Sequence, residues 1–484
     1  EVGLDGEPRW PKPGSDLPAP AIRTLRPDGP ATLYFGSCRL ALPHEEPYTC
    51  SKDEDERGRE FDALYVFANE LLRGEGEEYP DLLLLLGDQV YVDEGSPRVR
   101  EWIRSRRDVS KPPGEEVADF EEYCALYRES WSDPLIRWLF STVPVAMILD
   151  DHDMHDDWNI SRAWVDEMNR HQWWHKRLAA GWMTYWIYQH IGNLSPRELE
   201  RNDVFREVTE AEDGSEALRQ YARSSDSRPL GARWSYCRDL GHSRLIVMDS
   251  RGGRVLEAER RSIFDDEEWD WVVSHADGDF DHILIATSDP VLLGQGAHYL
   301  EAWSERVCDG VWGGAAAGLG ERLRRALDFD HWPAFAKSFD RVTRLLRELG
   351  RGERGGPPSS IVMLSGDVHH AYLAEVAFPR TAGIRSAVWQ AVCSPYRNPL
   401  DAHERTAIRA MLSRPAHAIT RLLARAAGVP DPGMRWRFAE GPYFDNQLAS
   451  LELDGRRATA RLEKTVPGEH HERRLERVFE HRLA

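Results

Sequence analysis

The sequence predicts an α/β fold built on parallel strands. Three observations point to it. Short apolar runs recur along the chain, and each ends in an ionisable or thiol residue. A stretch with helical apolar spacing separates the first two runs, as in a β-α-β unit. The most compact run, Leu82–Leu86, is five leucines closed by Gly87 and Asp88. It is far too short to cross a bilayer, which takes about 20 residues, and fits a strand buried on both faces of a parallel sheet.

Taken in order, residues 1–10 carry an Asp5-Gly6 turn signal and read as part of a hairpin. A proline-rich linker follows to Pro20, then a short extended piece, Ile22–Arg26. Residues 1–30 are expected to be an extension, the tail of a β-rich domain, before a catalytic domain over 31–484. Thr32–Gly36 is a strand ending at Ser37-Cys38-Arg39. Phe61, Leu64, Tyr65, Ala68, Leu71 and Leu72 then repeat at helical spacing, with Gly74 as the stop. A right-handed crossover to Leu82–Leu86 lays the two strands parallel and puts Cys38 and Asp88 on one edge. Residues 98–142 read as polar helices broken at Pro112-Pro113-Gly114. Val143–Leu149 is the third run, ending in Asp150-Asp151-His152-Asp153. An aromatic helix spans 164–191, its tryptophans read as hydrophobic core, and 195–227 reads as irregular. Arg244–Met248, His282–Thr287 and Ile361–Ser365 resume the strand rhythm, ending at Asp249, Asp289 and Asp367. Helices are expected over 321–349 and, with a break at Pro415, after the last of these strands. Helical insertions thus fall at about 98–200 and 295–350, and Ala449–Glu463 forms a hairpin around Asp454-Gly455.

A chain of 484 residues, 41% hydrophobic and 30% charged, can bury a sizeable core and has the composition of a soluble protein. The net charge of −20 opposes a nucleic-acid scaffold role. No stretch approaches a transmembrane span. The six cysteines form no C-x-x-C pair, so neither a zinc ribbon nor a redox dithiol is indicated. No signal peptide is visible at residue 1, which favours the cytoplasm; a processed N-terminus at Glu1 leaves export open.

Cys38, Asp88, Asp151, Asp249, Asp289 and Asp367 all stand at strand ends that a parallel sheet brings together. Two carboxylates about 4 Å apart repel by roughly 4 kcal/mol at an effective dielectric near 20. Several on one edge must bind protons or cations, and with a thiol, a phenol and imidazoles nearby a metal is the expected outcome. Cys38 and Tyr91 are anionic donors suited to a transition metal, while carboxylates also suit calcium or magnesium. Asp88 is placed to bridge two ions. Such a pair lowers the pKa of a water and clamps a phosphoryl group, so the residues read as a metallohydrolase.

Phe35-Gly-Ser-Cys-Arg39, Gly87-Asp-Gln-Val-Tyr-Val-Asp93, Asp150-Asp-His-Asp153 and Ser365-Gly-Asp-Val-His-His370 resemble the PhoD-like alkaline phosphatase D metallophosphatases of the calcineurin-like superfamily. The resemblance runs over about residues 31–400. It implies a four-layer α/β/β/α metallophosphatase sandwich and phosphodiesterase or phosphomonoesterase activity, with a metal-bound hydroxide at a dinuclear centre. It implies Fe3+ on Cys38, Asp88, Tyr91 and Asp367 beside a divalent ion, expected to be Ca2+ with Zn2+ or Mn2+ as alternatives. Asp151 and His152 match a motif supplying a metal ligand and a histidine near the leaving group, and Asp367 and His369 match a Gly-His-x-His motif. The pattern is not complete: Cys38 replaces an Asp-x-His, Asp289 precedes Pro290 where a ligand histidine is usual, and Asp153, Asp156 and Asp157 replace a Glu and paired Asn.

Arg39 has two readings, a bidentate phosphate contact or an ion pair with a nearby carboxylate. Asp249 and Asp289 read as turn or supporting residues rather than ligands. The sequence leaves His155, His298 and His331 unplaced. The expected substrate is a phosphoester, small or polymeric. Two rivals stand beside this reading: a metallohydrolase of non-phosphate esters, and a catalytically idle binding protein, which the retained Cys38, Asp88, Tyr91 and Asp367 oppose.

Overall fold

The computed structural model describes residues 2–4, 7–10, 13–25, 29–74, 79–227, 232–467 and 473–484. Its strands are, in chain order, β1 (Val2–Leu4), β2 (Glu7–Trp10), β3 (Ala31–Gly36), β4 (Leu82–Leu86), β5 (Val145–Ile148), β6 (Tyr236–Leu240), β7 (Ser243–Met248) and β8 (His282–Thr287). They continue with β9 (Ser360–Ser365), β10 (Ala371–Ala377), β11 (Ala387–Val392), β12 (Arg435–Tyr443), β13 (Gln447–Asp454), β14 (Arg457–Pro467) and β15 (Arg473–Arg482). β1 and β2 pair antiparallel, as a hairpin would, while the Asp5-Gly6 turn lies outside the described residues. Residues 22–25 form no strand, and Arg26 is likewise not described.

Two mixed sheets carry the molecule. One runs β15-β14-β13-β3-β4-β5, the other β12-β10-β11-β9-β8-β7-β6. The chemistry-bearing strands are parallel neighbours within each: β3 with β4 and β4 with β5, then β7 with β8, β8 with β9 and β9 with β11. The two-residue period of a strand explains how the sheets stack. Leu82, Leu84 and Leu86 of β4 join Leu245, Leu284, Val362 and Leu364 in one core between the sheets. Leu83 and Leu85 point the other way, onto helices Ala63–Arg73 and Pro134–Thr142. On the second sheet Ile246, Ile285 and Met363 face helices Asp266–His275 and Ala336–Arg351. The result is the four-layer α/β/β/α sandwich. Each buried leucine contributes roughly 1.5–3 kcal/mol, so β4, buried on both faces, anchors two cores at once.

Local signals set the helix limits. Asp62 caps Ala63–Arg73 by accepting from the backbone N–H groups of Leu64 and Tyr65, and Gly74 ends it in the left-handed region at φ 67°. Ser413 caps Arg414–Ala426, with Pro415 in its first turn, so the chain breaks just before that proline. Residues 195–227 are helical rather than irregular: Pro196–Arg201, Asp203–Glu210 and Ser215–Ser227. Ser195 and Asn202 cap the first two, and their polarity reflects exposure, not absence of structure. The aromatic segment is several pieces, Arg162–Met168, Gln172–Tyr185 and a wider turn at Trp186–His190, rather than one helix. Trp164, Trp174, Trp182 and Trp186 are buried in the central core. The hairpin at 449–463 is β13 and β14, extended by the charged edge strand β15 that alternation alone did not reveal. Among the described residues no helix is long and apolar enough to cross a membrane.

His298, on helix Gln295–Cys308, lies buried between the rings of Phe339 and Trp436, at 4.9 and 4.6 Å. Burial pulls its imidazole from 6.5 down to about 3. The folded chain therefore keeps it neutral, while the unfolded chain takes up a proton as pH falls through 6.5. His298→Leu removes that penalty. Its melting temperature relative to the wild type is expected to rise as the pH is lowered from about 7 to about 5; a difference independent of pH would contradict the assignment.

Candidate metal centre

The ends of β3, β4 and β9 meet because loops from both sheets bond across the gap. Arg39 N–H donates to the Asp88 carbonyl at 3.2 Å, joining the β3 and β4 loops. The Asp367 N–H donates to Ser37 Oγ at 2.9 Å, joining the loop after β9 to the loop after β3. Gly366 makes that approach possible, since a Cβ there would lie 2.1 Å from Ser37 Oγ. Gly87, at φ 104°, likewise passes so close to Asp150 that a Cβ would meet its Cβ at 2.4 Å.

Four of the expected ligands, Cys38, Asp88, Asp367 and His369, adopt left-handed backbone with φ between 50° and 66°. This conformation disfavours non-glycine residues by roughly 1–2 kcal/mol each and clusters at functional sites. It turns each side chain sharply off the end of its strand.

Asp88 lies at the middle. Its carboxylate belongs to three groups of donor atoms, each within 4.8 Å of one another: with Cys38 and His369, with Asp151 and His152, and with Asp150, Asp151 and Asp367. Cys38 Sγ and the Tyr91 hydroxyl both lie 3.4 Å from Asp88 Oδ2. Asp88 Oδ1 and Asp150 Oδ2 are buried without a hydrogen-bond partner. Burial, and then neighbouring negative charge, pushes the Cys38 thiol, the Tyr91 phenol and the Asp88 carboxyl well above their ordinary values. His369 is shifted the other way by burial, to about 3, so its imidazole is neutral and free to donate a lone pair. Orphaned oxygens, a thiol, a phenol and a neutral imidazole at one point fit a bound cation.

Around this centre lies a polar frame. Asp153 accepts from the backbone N–H groups of Asp88, Val90 and Asp150, at 3.0–3.3 Å, and so ties the β4 and β5 loops together. His152 Nδ1 bonds Asp93 at 2.9 Å, and its ring packs on Tyr91 at 4.4 Å. Burial alone would lower the His152 pKa; Asp93 and Asp151 override it and hold the ring well above 6.5. His331 is clasped between Glu301, at 2.9 Å, and Asp367 Oδ2, at 3.0 Å.

Arg251, 1% exposed, is the cation inside the frame. Its Nε donates to Asp150, one terminal nitrogen pairs with Asp330, and the other lies 2.9 Å from Asp289 and 3.4 Å from Asp367. Arg254 adds a second clamp on Asp289, at 2.8 Å. Asp249 instead closes its own turn by accepting from the N–H groups of Arg251, Gly252 and Gly253. Neither Asp249 nor Asp289 joins the donor groups around Asp88.

Arg39 takes the ion-pair reading, which corrects the phosphate-contact expectation. Its Nε donates to Asp62 at 2.8 Å and Nη1 to the Ser130 carbonyl at 2.9 Å, with the side chain buried. Cys38, Asp88, Tyr91, Asp151, His152, Asp367 and His369 are brought together as expected. His155 is held instead among Trp164, Trp173 and Trp174, and His298 in the helical layer. Sequence reasoning missed Arg251, Glu301 and Asp330, and did not place His331. Arg251 alone left a trace, in the Asp-Ser-Arg that ends β7.

Residues 59–212 match the family model of the PhoD-like phosphatases. That segment contains the Gly87–Asp93 and Asp150–Asp153 motifs. Among solved structures the chain is similar to one titled "Structure of PhoD", with a TM-score of 0.53 at 14% identity, covering 97% of this chain and 73% of that one. A purple acid phosphatase, PPD1 from yellow lupin (Lupinus luteus) seeds, gives a TM-score of 0.39 at 8% identity, covering 90% of this chain and 52% of that one. No curated protein matches the sequence. The likeness to PhoD shows a shared fold, and the family match bears out the resemblance read from the motifs.

Breaking one side of a buried charge cluster leaves the other side unpaired. Arg251→Met is therefore expected to remove roughly 3–5 kcal/mol of stability in a urea titration. A loss under about 1 kcal/mol, as for an exposed pair, would show that Arg251 does not hold the carboxylates.

Proposed function

We propose that this chain is a metal-dependent phosphoesterase of the PhoD-like kind, and that the cluster around Asp88 is a dinuclear centre hydrolysing phosphoric monoesters or diesters. The observation that carries the reading is the position of Asp88, shared by all three donor groups with one oxygen unsatisfied. Cys38, Tyr91, Asp88 and Asp367 would hold the harder, more charged ion, which we assign as Fe3+. Asp88 with Asp151 and neighbouring carboxylates would hold a divalent ion, Ca2+ by its all-oxygen donors, with Zn2+ or Mn2+ as alternatives; His369 borders the first position. When bound, such cations supply an acidified water and positive charge for the phosphoryl oxygens.

The chain's own residues do the rest. Asp93 fixes His152 through Nδ1, leaving Nε2 to hold a proton for the departing oxygen. Tyr91 packs against that ring and limits its rotation. Glu301 orients His331, and His331 in turn fixes Asp367 Oδ2. Two positions of positive charge also reconcile an anionic substrate with a protein of net charge −20.

Turnover of a chromogenic phosphodiester and phosphomonoester, with elemental analysis of the same sample, tests this. Activity is expected to vanish on chelation and in Asp88→Asn, while circular dichroism stays native. Turnover that survives both would place the chemistry elsewhere, and cleavage of carboxylic esters alone would favour the non-phosphate rival. A ferric–tyrosinate bond absorbs visible light, so a colourless, iron-free active enzyme would overturn the Tyr91 and Cys38 assignment.

Asp93→Asn leaves Cys38, Asp88, Asp151, Asp367 and His369 untouched but loosens His152. It is expected to lower kcat about 10- to 100-fold, with metal content unchanged. An unaltered kcat would remove His152 from proton transfer.

A further inference from the structure

Six of the eight large hydrophobic side chains left exposed among the described residues lie at 311–327 and 419–422. They are on, or next to, helices Gly314–Ala326 and Arg414–Ala426, which both pack on Gln295–Cys308. The second helix has two apolar faces. Thr420 and Ala424 are buried, while Pro415, Ala418, Ile419, Leu422 and Ala426 form an exposed stripe at spacings of three, four, seven and eleven residues. Ile419 is 61% and Leu422 70% exposed, so the stripe lies open.

The charge beside it is equally uneven. Residues 414–426 hold three arginines and no carboxylate, a net charge of +3 inside a chain of −20. Arg414 and Arg425 are exposed beside the stripe, and among the described residues neither has a carboxylate at ion-pair distance. Arg421 has a loose contact with Asp431 at 3.7 Å. Apolar side chains bordered by cations are what a helix lying in the headgroup region of an anionic bilayer presents. Physiological salt screens charges over about 8 Å, so at contact the three arginines of the helix outweigh acidic groups farther off and orient the molecule.

We propose that helix Arg414–Ala426 docks this chain on anionic lipid surfaces, with Ile419 and Leu422 entering the interface and Arg414, Arg421 and Arg425 facing the headgroups. Binding is peripheral and salt-sensitive. The docking helix packs on Gln295–Cys308, which also carries Glu301, so a single helix links the docking face to the frame around Asp367.

Sedimentation of the full chain with vesicles of phosphatidylcholine, alone or mixed with phosphatidylglycerol, tests this without reference to turnover. Failure here would thus leave the phosphoesterase reading untouched. Partitioning is expected on the mixed vesicles and not on the neutral ones, and to weaken with salt. Ile419→Ser with Leu422→Ser is expected to reduce it about tenfold. Arg414→Gln with Arg421→Gln and Arg425→Gln is expected to reduce it about a hundredfold. Circular dichroism checks that both variants fold. Equal partitioning on the two vesicle types, or none, would overturn the proposal. So would a concentration-dependent dimer, seen by light scattering and abolished by Ile419→Ser with Leu422→Ser, which would make a second copy the occupant.

Discussion

Everything at the active end of this molecule answers to one electrostatic constraint. Six carboxylates, from Asp88, Asp150, Asp151, Asp289, Asp330 and Asp367, converge where two sheets end, and within the protein two guanidinium groups, Arg251 and Arg254, meet them. Repulsion of roughly 4 kcal/mol for each close pair cannot be left standing in a buried volume. The protein divides the task. Arg251 and Arg254 neutralise the outer carboxylates, and those nearest Asp88 are left in need of a further positive charge. Burial and the neighbouring carboxylates push the Asp88 carboxyl well above its ordinary value, and a thiol, a phenol and an imidazole stand beside it.

The fold serves this arrangement from both sides. Parallel strands deliver side chains to one edge, and the sandwich turns two such edges toward each other. Hydrogen bonds from the Asp367 amide to Ser37 and from three backbone amides to Asp153 then hold loops from different strands in fixed relation. The left-handed residues at the strand ends are supportable because those bonds over-determine them.

Much of this was legible in the primary structure, for a physical reason. A strand covered on both faces is a continuous apolar run, and its end is marked by the first residue that must reach a ligand or water; Leu82–Leu86 and His282–Thr287 show both features, and their limits are as expected. Two of the edge strands were not legible. β6, Tyr-Cys-Arg-Asp-Leu, and β15, rich in arginine and glutamate, face solvent on one side and carry little apolar pattern. Helices over 195–227 were hidden likewise, since their caps and their exposure share the same polar residues. At the site, residues standing directly at strand ends could be read, whereas Arg251, Glu301 and Asp330 act across distances of 38 to 116 positions or through an intervening histidine. Arg39 shows the converse: a residue inside a telling motif, between strand and loop, whose partner Asp62 caps the next helix.

A final consequence follows from the leucines of β4. Because every position in Leu82–Leu86 is the same residue and both faces are buried, sliding the strand along its neighbours by one step exchanges like for like. Greasy contacts therefore cannot tell the correct alignment from its shifted copies. What tells them apart is the polar terminus, where Gly87 fits against Asp150 and the Asp88 amide finds Asp153. The polar loop that follows β4 thus also acts as the stop against which the central ribbon is measured during folding.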